Sequence, residues 1–423
     1  MRPLPPIPDW VTLEHQVAQI LQTQEENGWT FDERAAWELT QTLQKEYEET
    51  VKILRERHPQ IQGTEFTPKR DNRTQGYVRG ATLTRLKELN PTSRDHIAWI
   101  LTTHYGWKPS SMTSTGKPVI DEVILKEIGT EISMMFFKCL DLTKKLGMLS
   151  EGNNAWLKLC TKSKIHHHCS VATNTHRCAH RNPNLAQVPS DERFRKLFTT
   201  EPTKVMVGAD LSGIELRMLA HYIHPYDGGR YSNILLTGDI HQVNADKIGI
   251  SRRLVKTVTY AFLYGAGDIK IGLSYEQCLS EDKARAKGRE IRKAFIDAIP
   301  GLAKLLKAIK DASKRGFIRA IDGRKIEVDS SHKALNYCLQ SSAGVIAKRW
   351  MVIANEMIHT HPYFEANQLA FVHDELQFET TPNYERDIRF TLELSAARAG
   401  EYYSTRIPIA AESKSGRTWA DVH

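Results

Sequence analysis

Ten residues near the C-terminus, AFVHDELQFE (370–379), constrain this chain more than any other stretch. Ala370, Phe371 and Val372 suit a buried strand, and Leu376, Gln377, Phe378 and Glu379 alternate apolar with polar. That pattern predicts strand, tight turn, strand. At the tip stand His373, Asp374 and Glu375. Two adjacent carboxylates beside an apolar hairpin are costly unless a partner balances them, and a metal ion is one such partner. The hairpin alone does not decide it, so the rest of the chain must supply the answer.

A second stretch, VMVGADLSGIELRML (205–219), supplies a third carboxylate in a similar setting. Val205 and Val207 lead along a strand into Asp210, and Ser212-Gly213 turns the chain into a helix from Ile214. Two strands of one sheet would set Asp210 beside Asp374. Carboxylates that close repel unless a cation lies between them. An all-oxygen ligand set suits Mg²⁺, with Mn²⁺ also serving. Two such ions about 4 Å apart activate an attacking oxygen and stabilise a leaving one in phosphoryl transfer. Taken alone, each aspartate reads equally well as the cap of a turn or helix.

SRRLVKTVTYAFLYGAG (251–267) places Arg252, Lys256, Tyr260 and Tyr264 at successive spacings of four. On a helix these form one slowly drifting stripe. Two cations followed by two aromatics match a ligand with phosphates at one end and a flat base at the other. His241, just upstream, adds another phosphate donor. The competing explanation is an amphipathic helix with snorkelling cations and core tyrosines.

Charge and composition narrow the partner. Lys and Arg number 58 against 50 Asp and Glu, and two clusters concentrate the excess. One runs Lys69, Arg70, Arg73, Arg79, Arg85, Lys87 and Arg94; the other runs Lys283, Arg285, Lys287, Arg289, Arg292 and Lys293. A charge run is most often a solvated face, but two in a basic chain favour a polyanionic partner such as nucleic acid. No apolar run is long enough to span a membrane, and MRPLPPIPDW is not a signal peptide. Cys139, Cys160, Cys169, Cys178, Cys278 and Cys338 include no CxxC pair, which points to reduced thiols and a cytoplasmic setting.

The chain's order is a helical part, half of a sheet, a helical insertion and the rest of the sheet, an α+β class. Residues 12–58 read as a helical hairpin with Asp32 capping its second helix, and residues 59–82 as a flexible basic connection. KIHHHCSV (164–171) reads as a strand. His166, His167 and His168 alternate faces there and cannot all reach one metal, so zinc is not expected.

DLSGIELR, RRLVKTVTYAFLYG and VHDE resemble motifs A, B and C of the family A (polymerase I-like) DNA polymerases. The likeness extends to RCAHRNPNLAQVP (177–189), DGRK (322–325) and ALNYCLQSSAG (334–344), and is greatest to replicative polymerases of short-tailed bacteriophages. It implies a right-hand fold: helical thumb over 1–158, palm over 159–222 and 332–423 built on an antiparallel sheet, helical fingers over 223–331. It implies template-directed extension of a primer by dNTPs. Asp210, Asp374 and the backbone carbonyl of Leu211 would bind two Mg²⁺ ions, with Glu375 beside them. His241, Arg252 and Lys256 would clamp the triphosphate, Lys256 also protonating the leaving group. Tyr264 would gate the templating base, and Glu215 would exclude a ribose 2′-OH. Tyr260 would permit dideoxynucleotide incorporation. Arg177, Asn336, Gln340 and His373 would contact the DNA, the first three by probing its minor groove.

Two departures from the resembling phage enzymes shape further expectations. Their exonuclease module has no counterpart before residue 12, so proofreading is expected to be absent or supplied by a separate 3′–5′ exonuclease polypeptide. Residues 59–89 stand where those relatives carry a long thioredoxin-recruiting insertion, which argues against thioredoxin dependence. A monomer is expected, in the host cytoplasm if the chain is phage-encoded. Competing readings are an RNA polymerase on the same fold, against which Glu215 argues, a catalytically silent DNA-binding subunit, and a metal-dependent nuclease, which would not need the Arg252–Tyr264 stripe.

Overall fold

The hairpin at 370–379 forms as the alternation predicts. The computed structural model describes residues 7–109, 111–171, 173–276 and 279–423; Cys278 and the first six residues of MRPLPPIPDW lie outside the described residues. Its strands in chain order are β1 (Trp29–Thr30), β2 (Gln60–Phe66), β3 (Leu83–Glu88), β4 (Lys164–Ile165), β5 (His168–Ser170), β6 (Ala179–Arg181), β7 (Val205–Leu211), β8 (Phe317–Arg319), β9 (Lys325–Glu327), β10 (Ala366–Val372), β11 (Glu375–Thr380) and β12 (Ala411–Gly416). Val372 pairs with Glu375, so His373-Asp374 is a two-residue turn, and His373 takes it with φ +58. A tight hairpin turn demands such a left-handed residue, a conformation glycine adopts most easily.

β11 pairs with β7 and β7 with β12, giving one antiparallel sheet in the order β10-β11-β7-β12. The alternating residues Leu376 and Phe378 enter a core shared with Trp350, Met351 and Leu392. Trp350 lies on the long helix Ala334–Thr360 and donates its indole N–H to the Leu392 carbonyl at 2.8 Å. The mixed helix and sheet architecture is the α+β class expected.

The chain divides into two units, Met1–Ala35 with Leu159–His423, and Ala36–Lys158. The sequence reading set the thumb at 1–158. Residues up to Ala35 group with the sheet-bearing unit. Buried charge explains it. Lys348 is fully buried on the long helix, and its ammonium meets the Glu14 carboxylate oxygens at 2.7 and 2.9 Å. Arg324 reaches Glu14 too. A buried ammonium without its carboxylate would be severely destabilising, so the helix Asp9–Asn27 is tied to this unit.

The second unit has its own core, including Val51, Leu54, Ile97, Leu101, Leu125 and Phe136. The flexible connection expected at 59–82 is corrected here: β2 lies within it and pairs antiparallel with β3. This ribbon is mostly exposed, so it carries little apolar alternation to read. Ile61 is buried at its base, Arg85 lies 4.3 Å over the Phe66 ring, and Phe66 meets Tyr77 edge-on at 5.1 Å.

In the helical insertion, the helices Asp268–Tyr275 and Glu281–Ala298 touch backbone to backbone. A Cβ on Gly288 would fall 1.7 Å from the Asp268 carbonyl oxygen, and one on Gly272 would fall 1.9 Å from that of Ala284. Gly288→Ala is therefore expected to destabilise by about 3 kcal/mol, the upper range for overpacking, read as a lowered urea midpoint. An unchanged midpoint would disprove the contact. The basic cluster on the second helix is largely paired: Arg285 with Glu281, Lys287 with Glu290, Arg289 and Arg292 with Asp268. These pairs offset only part of the cluster's charge, since Arg289 and Arg292 share one aspartate.

Candidate active site

The site is built on the end of the sheet. Asp210 is the penultimate residue of β7, with Glu375 opposite it on β11 and Glu412 opposite it on β12. The Asp374 backbone carbonyl accepts from Leu211 N–H at 3.0 Å, which locks the turn onto β7. The sheet thus brings together Asp210, Leu211 and Asp374, residues 164 positions apart in sequence at the extremes.

Crowding shows in the titration of these acids. Burial, then the Asp210 and Glu215 charges, push Asp374 up to about 7. Desolvation, then Glu375, Glu215 and Glu412, push Asp210 up to about 6, although its side chain still reaches solvent at the strand end. Two oxygen donors that each disfavour ionisation are a poor arrangement alone and a good one around a divalent cation. The donor set therefore fits Mg²⁺ or Mn²⁺.

Glu375 faces elsewhere. Its Oε1 accepts from Trp419 Nε1 at 2.6 Å and from the Gln377 amide, and Oε2 lies 3.3 Å from His423 Nδ1. It is buried, and burial raises its pKa. These partners secure Glu375 to the C-terminal helix Trp419–Val422 and its last residue.

The helix Arg252–Leu263 carries the predicted stripe, with Tyr264 as its C-terminal cap. Tyr260 and Tyr264 stack with ring centroids 6.4 Å apart, and the His241 ring lies 6.2 Å from Tyr260. Burial, then Glu215 and Asp374, raise the Tyr260 pKa, so this helix faces the carboxylates. Arg252 Nε meets Asp239 at 2.6 Å, and Asp239 also caps the helix Ile240–Ile248 by accepting from His241 and Gln242 N–H. His241 is buried with its pKa lowered by burial, and Lys256 is exposed.

Glu215 sits in the first turn of the helix Ile214–Asp227. It accepts from Arg177 Nη2 at 2.6 Å and from Tyr264 O–H at 3.2 Å. Three predicted residues thus form one network. Burial and Arg177 lower the pKa of His373, which sets that residue near the same group. Asn336 and Gln340 lie one turn apart on the long helix, Asn336 buried and Gln340 half-buried.

Sequence reasoning missed Glu412, Trp419, Gln377, His423 and Asp239. The pairing of β12 with β7 brings Glu412 in, and AESKSG has no apolar alternation to mark a strand. For Asp239 a signal existed: an aspartate two residues before His241 and ahead of a helical period is a cap pattern.

A family model described as DNA polymerase family A matches residues 40–421. The chain is 31% identical to the DNA-directed DNA polymerase of Enterobacteria phage T3 and equally to that of Escherichia phage T7, each alignment covering 98% of this chain and 70% of the relative. Among solved structures it is similar to the POL domain of Pol1 from M. smegmatis in complex with DNA primer-template and dNTP. That likeness has a TM-score of 0.77 at 19% identity, covering 97% of this chain and 70% of that one. With the carboxylate pair at the sheet end and the family match over nearly its whole length, the chain belongs to DNA polymerase family A.

Proposed function

We propose that this chain extends a primer 3′-OH on a DNA template with dNTPs, and that Asp210 and Asp374 hold two divalent ions, Mg²⁺ or Mn²⁺, with the Leu211 carbonyl. The observation that carries the reading is the meeting of Asp210 and Asp374 at one sheet end, faced by the Tyr260 side of the Arg252–Leu263 helix. Bound there, the ions would activate the attacking hydroxyl and neutralise charge on the departing pyrophosphate.

The chain's own residues do the rest. Arg252, Lys256 and His241 bind the triphosphate tail through charge-assisted hydrogen bonds. Arg252 must leave Asp239 to do so. Lys256 Nζ holds the proton that the leaving oxygen takes. Tyr260 and Tyr264 pack on sugar and base. Glu215 occupies the space of a ribose 2′-OH. Arg177, Asn336, Gln340 and His373 face the DNA. In the minor groove every base pair presents acceptors at similar places, so donors there test pairing without reading sequence. Glu375 acts as a positioning residue, holding the catalytic turn through Trp419 and Gln377.

Extension of a labelled primer–template with Mg²⁺ and four dNTPs tests the reading, and omission of one dNTP should stop products at the matching template base. Tight DNA binding without extension would favour a silent DNA-binding subunit. Tyr260→Phe is expected to raise discrimination against dideoxynucleotides by about 100-fold in kcat/KM, since the phenol O–H no longer replaces the missing 3′-OH. Equal discrimination in both proteins would remove Tyr260 from the sugar.

A further inference from the structure

The three consecutive histidines of KIHHHCSV go to different places. His166 Nδ1 lies 2.7 Å from the Glu25 backbone carbonyl, and His168 Nδ1 lies 2.7 Å from the Glu25 carboxylate. His167 turns inward and is fully buried. The strand expected over 164–171 is interrupted at His166-His167, between β4 and β5, and Cys169 lies within β5. Cys169 is the ladder partner of His180, and its Sγ lies 3.2 Å from His180 Nδ1. One ligand atom from each of His167, Cys169 and His180 falls within 4.8 Å of the others, and all three residues are buried. Yet His167 Nδ1 and His180 Nε2 have no hydrogen-bond partner. Buried imidazole nitrogens left unpaired are costly, and two of them in one cluster with a buried thiol need a reason.

We propose that His167, Cys169 and His180 bind a zinc ion. Two imidazole nitrogens and a thiolate are a zinc set, with ligand distances of about 2.0–2.3 Å, whereas Mg²⁺ takes oxygen donors. The consecutive histidines could not share a metal; the alternate residues 167 and 169, with one residue across the ladder, do. A neutral imidazole offers one ring-nitrogen lone pair, and Cys169 binds as the thiolate, releasing its proton to solvent as zinc enters.

Gln24 Nε2 lies 3.0 Å from His167 Nε2 and 3.7 Å from Cys169 Sγ, and Gln368 fixes the same amide by donating to Gln24 Oε1 at 2.8 Å. Because that amide donates to His167 Nε2, zinc on either ring nitrogen requires Gln24 to move off Nε2, which would then ligate or carry the proton. Cys178 is buried two residues before His180. The His180 ring meets His373 edge-on at 6.1 Å, so the ion would brace the β5–β6 hairpin behind the catalytic turn.

The test uses the full chain, loaded with zinc and dialysed against metal-free buffer containing excess Mg²⁺, which competes for carboxylates but not for a thiolate site. Elemental analysis is expected to find about one zinc per chain. Cys169→Ser should lose it, and the double variant Asp210→Asn, Asp374→Asn should keep it. Folded wild-type protein without zinc overturns the proposal, as does zinc lost from the aspartate variant and kept by Cys169→Ser. Should Cys169→Ser fail to fold, cobalt-loaded wild type decides. A thiolate-to-cobalt charge-transfer band supports the site, and its absence overturns it.

Discussion

Asp374→Asn is expected to slow primer extension by at least about 10³-fold while making the metal-free protein more stable. Loss of one preorganised charge-stabilising group costs about 10²–10³ in rate, and Asp374 would hold both ions, so the upper figure is the floor. Stability moves the other way because the folded pKa, about 7, lies above the ordinary 3.8. The fold therefore favours the protonated acid. That contribution is full below about pH 4 and is lost as pH rises through 7. Asparagine mimics the protonated form and loses nothing. A shift of this size corresponds to a few kcal/mol, and partial exposure of Asp374 reduces it to about 2 kcal/mol. Urea titrations in EDTA should thus coincide at low pH and separate between pH 4 and 8, the variant being more stable. Parallel pH profiles would mean that Asp374 is not crowded, and undiminished extension would remove it from the reaction.

Glu215→Ala carries the second large effect. The carboxylate is held from two sides, by Arg177 at 2.6 Å and Tyr264 at 3.2 Å, with its side chain 13% exposed. A group so fixed cannot swing aside for a 2′-OH. Alanine opens that space, and the preference for dNTP over rNTP in kcat/KM should fall by about 100-fold. Glu215→Gln keeps the bulk and a partner for Tyr264 but loses the ion pair, so it should keep most of the preference. If alanine left sugar selection unchanged, Glu215 would be a brace for Arg177 and not a gate. If glutamine failed as badly as alanine, charge and not volume would be the discriminating property.

The legible parts of the chain were those where local pattern and tertiary role agree. The apolar residues of Val205–Leu211 and 370–379 enter the core, so strand and turn were legible, whereas the burial of Gln377, Glu379 and Thr380 and the register shift at Gln368–Ala370 were not. The Arg252–Tyr264 stripe was legible because four-residue spacing marks a helix face. Other features depend on pairing that no local period encodes. β12 is short and polar, so the approach of Glu412 to Asp210 stayed hidden. Lys348 and Glu14 are 334 residues apart, and only their buried contact reveals why the first helix belongs with the sheet. The exposed β2–β3 ribbon reads as loop because it has almost no inside. The histidine run was read correctly as dispersing its side chains, but the approach of His180 across the ladder from Cys169 was invisible in it.

The glycine seam in the helical insertion has a mechanical consequence. Asp268–Tyr275 and Glu281–Ala298 meet with no room for a Cβ at Gly272 or Gly288, and Arg292 reaches back to the Ala266 carbonyl, three residues past the last turn of the stripe helix. Side-chain interfaces can shear, because rotamers slip past one another; a carbonyl pressed against a Cα has no such compliance. Under the proposed function, a rotation of the Arg252–Leu263 helix on nucleotide binding would pass along the seam with little loss. A spectroscopic label at the far end of Glu281–Ala298 is then expected to respond to added dNTP, and an unresponsive label there would show that the insertion does not move as one body.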